Sequence, residues 1–456
     1  MLDTIRNSCF PRAALSALTS SPLRRRFAQG TFWSLVNLIV RRGGGLVTSI
    51  FLARILGKDS FGKLGIIIST INLFSLVGSF GLGATATKYV AEYRQKHPER
   101  AGRVLALSSV VAWVTGLLSA SAILILAPYL ANHSLAKPEL LQALRICAPL
   151  VLLTAVNGAQ TGALSGFESF KDLAVTGIFF TIATLPLQAV GAWKWGIEGA
   201  LWGQVAGLVL NGLLNFRVLL RNARDHRVVL SFSEWKAERW VLWSFSFPTV
   251  LSGLLILPVN WFCAALLVRQ PHGFAEMAGV TAGNQWRGLV AFLPALLATV
   301  CFPIAASLPK DGRFRKIALR GLALNYGAGL AACLLVVPFR SRILAMYGPN
   351  FGSAGPVLVL LMLAGVLEGG NEILFRALLI LDKGWWRFIS NGLWGAVMLF
   401  LSWRWIPTRG ALGLASATVV AVVCHFLVQI VMFYRFLPRQ RETPVFQTQE
   451  PLPKLT

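Results

Sequence analysis

The stretch TFWSLVNLIVRRGGGLVTSIFLARIL, residues 31–56, decides how the chain is read. Residues 31–40 are mostly apolar but too short to cross a bilayer, and so is the segment 43–56, because a transmembrane helix needs about 20 apolar residues. Joined, the two are long enough, and the junction sets Arg41 and Arg42 near the middle of the hydrocarbon layer. A charge at that depth costs about 2.5 kcal/mol or more unless it faces a protein interior or a wet cavity. Neighbouring side chains diverge by about 100° on a helix, so at least one guanidinium must point inward. Gly43-Gly44-Gly45 follows directly and would loosen the helix or admit a close neighbour.

The composition of the whole chain agrees with this first span. Of 456 residues, 55% are hydrophobic and only 13% are charged, against about 25% charged in a soluble domain. That excludes a disordered chain, a disulfide scaffold and an ordinary soluble enzyme. The implied class is an all-α polytopic membrane protein of about twelve transmembrane helices. The apolar runs fall at 31–56, 61–83, 104–130, 140–164, 173–193 and 199–220, then at 241–268, 278–308, 317–338, 356–379, 388–406 and 411–433.

The net charge of +25 raises nucleic-acid binding as an alternative. The basic residues lie instead in short gaps between apolar runs, where they set topology, so no nucleic-acid partner is expected. Taken with the N-terminus inside, the inner segments hold Arg24, Arg25, Arg26, Lys88, Arg94, Arg100, Arg103, Arg221, Arg224, Arg227, Lys310 and Arg313, among others. The outer loops hold far fewer, such as Lys58, Lys137 and Arg269. The expected topology is N-in and C-in. The chain divides into a basic cytoplasmic segment 1–30, a six-helix lobe 31–220, a basic cytoplasmic linker 221–240, a second six-helix lobe 241–436, and a polar cytoplasmic tail 437–456. No long apolar core precedes Arg24, so the first span is expected to act as the signal anchor.

The two lobes read as a duplication. Asn157 pairs with Asn371, Ala163-Leu164 with Ala377-Leu378, Glu168 with Asp382, and Gly196-x-x-Gly199 with Gly410-x-x-Gly413, all at one offset; Phe61 and Phe274 pair one position short of it. Copies separated by six spans share an orientation. Two pseudo-symmetric lobes around a central cavity follow, a design suited to alternating access.

Polar groups within the spans mark the candidate site. Asn284-Gln285-Trp286-Arg287 lies about a dozen residues beyond the outer loop in the eighth span and reads as cavity lining, with snorkelling of Arg287 as the alternative because the span is long. Arg145 lies nearer a span end, where snorkelling competes with a cavity role. Glu368, Glu372 and Arg376 are spaced by four and share one helical stripe. The three are the expected ion-coupling site, with a purely structural Glu372–Arg376 pair as the alternative; Glu368, the deeper carboxylate, is the better candidate to couple transport to a proton or Na⁺. Arginines outnumber glutamates in the membrane, and arginine binds phosphate bidentately. The substrate-binding set is therefore Arg41, Arg42, Arg145, Asn284, Gln285 and Arg287, and the expected cargo carries phosphate or another anion. Other chemistry is missing: the glycine run is followed by Leu46-Val47 rather than a phosphate-loop lysine, no metal-ligand spacing occurs, and no cofactor is expected. The cysteines are scattered without a C-x-x-C pair. His425, in the last span, reads as a satisfied core histidine.

Leu52-Ala53-Arg54-Ile55-Leu56-Gly57, Phe61-Gly62, Gly81-Leu82-Gly83-Ala84, Tyr89 and Arg94 resemble the start of polysaccharide-transporter (Wzx-type) flippases. Tyr347-Gly348-Pro349-Asn350-Phe351 and Gly196-Ile197-Glu198-Gly199-Ala200 are similar to later motifs of that family, which belongs to the multidrug/oligosaccharidyl-lipid/polysaccharide (MOP) exporter superfamily. The resemblance implies a V of two lobes in a bacterial inner membrane. It implies that a polyprenyl-pyrophosphate-linked oligosaccharide moves from inner to outer leaflet for cell-surface polysaccharide synthesis, with no enzymatic step. Membrane lipids, a coupling proton or Na⁺, and a polysaccharide polymerase or ligase are the partners it suggests. Related lipid II flippases use cavity arginines, a role that carries over only to Arg41 or Arg42; the two extra helices those relatives often have are absent. The competing readings are a multidrug cation antiporter, which the arginine excess opposes, and a membrane-embedded glycosyltransferase or polymerase. The latter would need catalytic carboxylates on large outer loops, where this chain offers Asp59, Glu139, Glu198 and Glu276.

Overall fold

The computed structural model describes residues 22–232, 238–291, 312–380 and 385–436, and every regular element among them is helical. The N-terminal half holds α1 (Pro22–Ser79), α2 (Leu82–Tyr93), α3 (Pro98–Tyr129), α4 (Leu141–Gly166) and α5 (Phe170–Asp225). The C-terminal half holds α6 (Phe247–Gly253), α7 (Leu257–Val268), α8 (Gly273–Val290), α9 (Gly312–Val336), α10 (Arg340–Tyr347), α11 (Gly355–Ile380) and α12 (Trp385–Phe436). Among the described residues, 7 helical stretches are long and apolar enough to cross a membrane. Their outward faces are apolar: on α3, Trp113, Leu117, Leu118 and Ile125 are all exposed, Ile125 at 77%. Such a surface suits lipid rather than water.

The longest helices are not single rods. The backbone leaves the helical region at Gly57 in α1 (φ 77°), at Trp195 and Gly196 in α5 (Gly196 φ 60°, ψ −140°), and at Gly410 in α12 (φ 53°, ψ −131°). These are conformations that glycine adopts without a Cβ penalty. In α5 the chain doubles back, because a Cβ on Gly191 would overlap the Gly199 carbonyl and one on Gly203 would lie 2.5 Å from the Leu187 carbonyl. In α12 a Cβ on Gly413 would meet the Trp405 carbonyl in the same way. Gly196 and Gly410 stand at the repeat offset read from the sequence, and so do the two hairpins they make.

Side-chain bonds repeat at that offset as well. Asn157 Nδ2 donates to the Leu208 carbonyl at 3.1 Å, and Asn371 Nδ2 to the Val422 carbonyl at 3.4 Å. Asn211 and His425 complete the equivalent triads. Of the other repeat pairs, Glu168 is salt-bridged to Arg94, while its counterpart Asp382 lies outside the described residues.

The end of the molecule that carries the glycine hairpins is sealed between the two halves. A Cβ on Gly62 would overlap the Phe274 carbonyl, so α1 and α8 cross there at backbone contact. Phe61 is buried with its ring 6.1 Å from Tyr347 and 6.0 Å from Phe351. Arg54 Nε donates to the Met346 carbonyl at 2.6 Å, and Lys58 Nζ bonds Ser353 Oγ at 3.1 Å. The opposite end is held by ion pairs. Arg100 grips Glu238 at 2.9 and 3.1 Å, and Arg221 reaches Asp172 at 2.7 Å. The bond from Arg100 keeps the Glu238 carboxyl below its usual titration range.

Two details depart from the sequence reading. Residues 82–93, read as part of an inner connection, form the short helix α2, whose Leu82, Ala86, Tyr89, Val90 and Tyr93 are buried. The run 241–268 is interrupted between α6 and α7, with Pro248 and Pro258 at the first turns of the two pieces. Proline lacks the N–H that would continue the preceding helix. The end of the run 278–308, the first 21 residues and the tail 437–456 lie outside the described residues.

Candidate functional site

Arg41 and Arg42 lie in the unbroken first arm of α1, and their divergence is the one helix geometry requires. Arg41 turns to α5, its guanidinium 5.5 Å from the centre of the Phe180 ring. Arg42 turns to α8, where a Cβ on Gly288 would come within 2.8 Å of its Nη1. Among the described residues no carboxylate pairs with either guanidinium. The glycine run divides its work: a Cβ on Gly44 would overlap Thr181, so this glycine lets α5 approach, whereas Gly43 and Gly45 border open space.

Two contiguous cavities occupy the space between the halves. The first, about 280 Å³, surrounds Arg41 with Thr48, Ser49, Thr181, Gln188 and Gln204. The second, about 380 Å³, is lined by Asn72, Asn260, Asn284, Gln285 and Arg287 among others. Ile68, Thr281 and Gln285 border both. Of the residues read from the sequence, Arg41, Asn284, Gln285 and Arg287 therefore line one continuous space, with Arg42 at Gly288 beside it. Arg145 does not join them. It sits exposed in the first turns of α4 and lines neither cavity.

Arg287 and Glu368, which the sequence placed in separate sites, form one ion pair. Arg287 Nε bonds Glu368 Oε2 at 2.9 Å, Nη2 bonds Oε1, and Nη1 reaches Asn284 Oδ1 at 3.3 Å. The contact is bidentate, the stronger geometry for a guanidinium and a carboxylate. Arg287 is thus not an open anion ligand in this state. Glu372 pairs with Arg376 along α11 at 3.1 Å.

A third cavity, about 180 Å³, lies within the C-terminal half and holds Glu368, Asn371, Glu372, Asn391, His425 and Gln429. His425 is hydrogen-bonded to Gln429 at 3.0 Å and lies 3.3 Å from Ser390. It has the partners of a core histidine, yet it shares a cavity with both glutamates. Sequence reading left it out of the site, although its place one helical turn from Gln429 and at the repeat offset from Asn211 was visible. No group of three or more His, Cys, Asp or Glu that could hold a metal ion occurs among the described residues.

A bundle of long apolar helices with a polar cavity between its halves is a fold shared with solved transporters of the MOP superfamily. A solved MATE multidrug transporter of that superfamily, in an inward-facing state, superposes with TM-score 0.69 over 88% of this chain and 98% of its own, at 14% identity. The lipid II flippase MurJ, in an inward closed state, superposes with TM-score 0.66 over 89% and 90%, at 16% identity. The chain belongs to the polysaccharide biosynthesis protein family, whose model matches residues 27–308. Its curated relatives include the EPS I polysaccharide export inner membrane protein EpsE of Ralstonia solanacearum, 23% identical over 90% of this chain and 94% of EpsE. The lipid III flippase of Escherichia coli is 20% identical over 88% of this chain and 96% of its own length.

Proposed function

We propose that this chain is a flippase that carries a polyprenyl-pyrophosphate-linked oligosaccharide from the inner to the outer leaflet of a bacterial inner membrane, for cell-surface polysaccharide biosynthesis. The observation that carries the reading is the Arg41 guanidinium lining an inter-half cavity, with Arg42 beside it at Gly288, neither paired with a carboxylate among the described residues. An unpaired charge in the membrane is retained where it meets a ligand, and two adjacent guanidiniums suit a pyrophosphate. The names of the relatives and the fold shared with a lipid II flippase support the same substrate class.

The architecture we propose is twelve crossings in two six-helix lobes, 31–220 and 241–436, joined by the basic linker. The hairpins at Gly196 and Gly410 and the break at Gly57 support it, since each divides one long helix into two arms. With both termini in the cytoplasm, the sealed hairpin end faces outward and the cavity is entered from the inner leaflet. Pyrophosphate and sugars would cross through the cavity while the prenyl chain stays in lipid. Glu368 would serve coupling: a proton or Na⁺ taken up there breaks the bidentate pair and frees Arg287 toward the headgroup. Glu372 and Arg376 support that site from the next turn. The cationic cavity disfavours the multidrug antiporter, and the work asked of the protein is movement rather than bond making.

The test is leaflet transfer of a fluorescent polyprenyl-pyrophosphate oligosaccharide by the purified protein in liposomes. Wild type should transfer it, and the double variant Arg41→Ala/Arg42→Ala, folded normally, should not. Export of a cationic dye with no lipid transfer would replace this reading with the antiporter.

A further inference from the structure

The second cavity has a chemistry distinct from the first, and it is set by amides. Asn72 comes from the second arm of α1, Asn260 from α7, and Asn284 and Gln285 from α8, so both halves contribute. Among the described residues the side chains of Asn72, Asn260 and Gln285 have no hydrogen-bond partner in the protein. Asn284 uses only its oxygen, on Arg287. Each amide presents two donors and an acceptor, which is the complement of a sugar hydroxyl that both gives and takes. Arg287, the one cation of this cavity among the described residues, is neutralised by its bidentate pair with Glu368. A carboxylate placed here would be desolvated without a free counter-charge, at a cost that neutral hydroxyls do not incur. Gln285 borders both cavities, so a group seated among the amides adjoins one held by Arg41.

We propose that Asn72, Asn260, Asn284 and Gln285 form a glycan subsite for uncharged sugars beside the cationic pyrophosphate subsite, so that the chain selects lipid-linked glycans whose sugar next to the pyrophosphate is neutral. The proposal rests on the flippase reading and deepens it. The amide subsite bridges the two halves, and the sugar it holds is released when rocking separates Asn72 from Asn260 and Asn284.

The experiment measures binding to the full chain in nanodiscs with three probes: farnesyl pyrophosphate, the same lipid carrying N-acetylglucosamine, and the same lipid carrying glucuronic acid. The neutral sugar should tighten binding about tenfold over the bare lipid, the worth of one or two net hydrogen bonds. The uronate should give no such gain. In Asn72→Ala/Asn260→Ala the ratio between the neutral-sugar probe and the bare lipid should collapse toward one, and Asn72→Gln should restore part of it. Binding of the uronate as tight as that of the neutral sugar would overturn the proposal, as would equal losses for bare and sugar-bearing lipids in the double variant, which would make the amides structural. Failure of wild type to bind even the bare lipid would instead remove the flippase reading itself.

Discussion

The two halves place the same polar triad at the same point and use it differently. In the N-terminal half, Asn157 Nδ2 bonds the Leu153 and Leu208 carbonyls, and its Oδ1 accepts from Asn211 at 2.6 Å. Those side chains are spent on holding α4 against α5. In the C-terminal half, Asn371 Nδ2 reaches the Val422 carbonyl at 3.4 Å and His425 at 3.5 Å, its Oδ1 has no partner, and the triad opens on a cavity with Glu368 and Glu372. Charge divides the opposite way. Among the described residues, the N-terminal half keeps two guanidiniums without a carboxylate partner at Arg41 and Arg42, where the corresponding C-terminal positions, Leu254 and Leu255, are apolar. In the C-terminal half, Arg287 and Arg376 are each paired with a glutamate. Under the proposed function, anion capture would fall to the N-terminal half, while the C-terminal half holds its arginines in glutamate pairs. Buried networks that are fully satisfied rigidify a fold, while those facing a cavity remain available for exchange.

The largest effect should come from breaking that division at Glu368. Glu368→Gln would leave Arg287 without a compensating charge and make the C-terminal half resemble the N-terminal one. Gradient-driven lipid transfer should fall by about a hundredfold, within the usual range of coupling between two sites, while transfer down a lipid gradient persists. Liposome assays with imposed proton or Na⁺ gradients measure both, and an unchanged dependence on the gradient would remove the coupling role.

How far this division could be read in advance depends on sequence separation. The apolar runs, the repeat offset and the depth of Arg41 and Arg42 are local properties, and hydropathy exposes them. The pairing of Arg287 with Glu368 joins residues 81 positions apart, and no periodicity announces which arginine neutralises which glutamate. The sequence accordingly counted Arg287 as substrate-binding and Glu368 as ion-coupling, two halves of a single contact. Arg145 shows the converse limit: its depth near a span end fitted either fate, and only packing put it outside the cavity. Helix α2 was missed because its apolar face, built on Leu82, Ala86, Tyr89 and Tyr93, is shorter than a span and lies among basic residues that read as a loop.

The repeat is sharpened next by its two glycine hairpins. Gly196→Ala and Gly410→Ala should both destabilise, because each forces a Cβ into a positive-φ region at about 1–3 kcal/mol. The costs should differ. A Cβ at Gly196 meets open space, whereas one at Gly410 lies 3.0 Å from Glu276 Oε2, the oxygen that accepts the Ala411 N–H at 2.8 Å. Thermal unfolding in detergent should therefore rank Gly410→Ala below Gly196→Ala. Equal losses would mean that Glu276 moves aside freely and that its bond does not hold the hairpin.

The smallest effect is the most direct test of the comparison, because it exchanges the residues that differ. Asn211→Ala strips the donor from Asn157 Oδ1 in a buried setting, since Asn211 and Asn157 are 3% and 6% exposed. Leaving that oxygen unpaired should cost about 1–3 kcal/mol. His425→Asn instead installs the N-terminal residue in the C-terminal position, where an amide can make the same bond to Asn371 and the neighbouring cavity tolerates the change in volume. It gives up the contacts to Gln429 and Ser390, but position 425 borders the cavity with Gln429, where water can replace them, so its effect on unfolding should stay below about 1 kcal/mol. Equal losses for the two variants would show that His425 holds its helices as firmly as Asn211 does, and the C-terminal triad would then be as structural as its N-terminal twin. A small loss for His425→Asn accompanied by altered gradient dependence of transfer would place the histidine with Glu368 in the coupling site, because a purely structural contact has no reason to change one without the other.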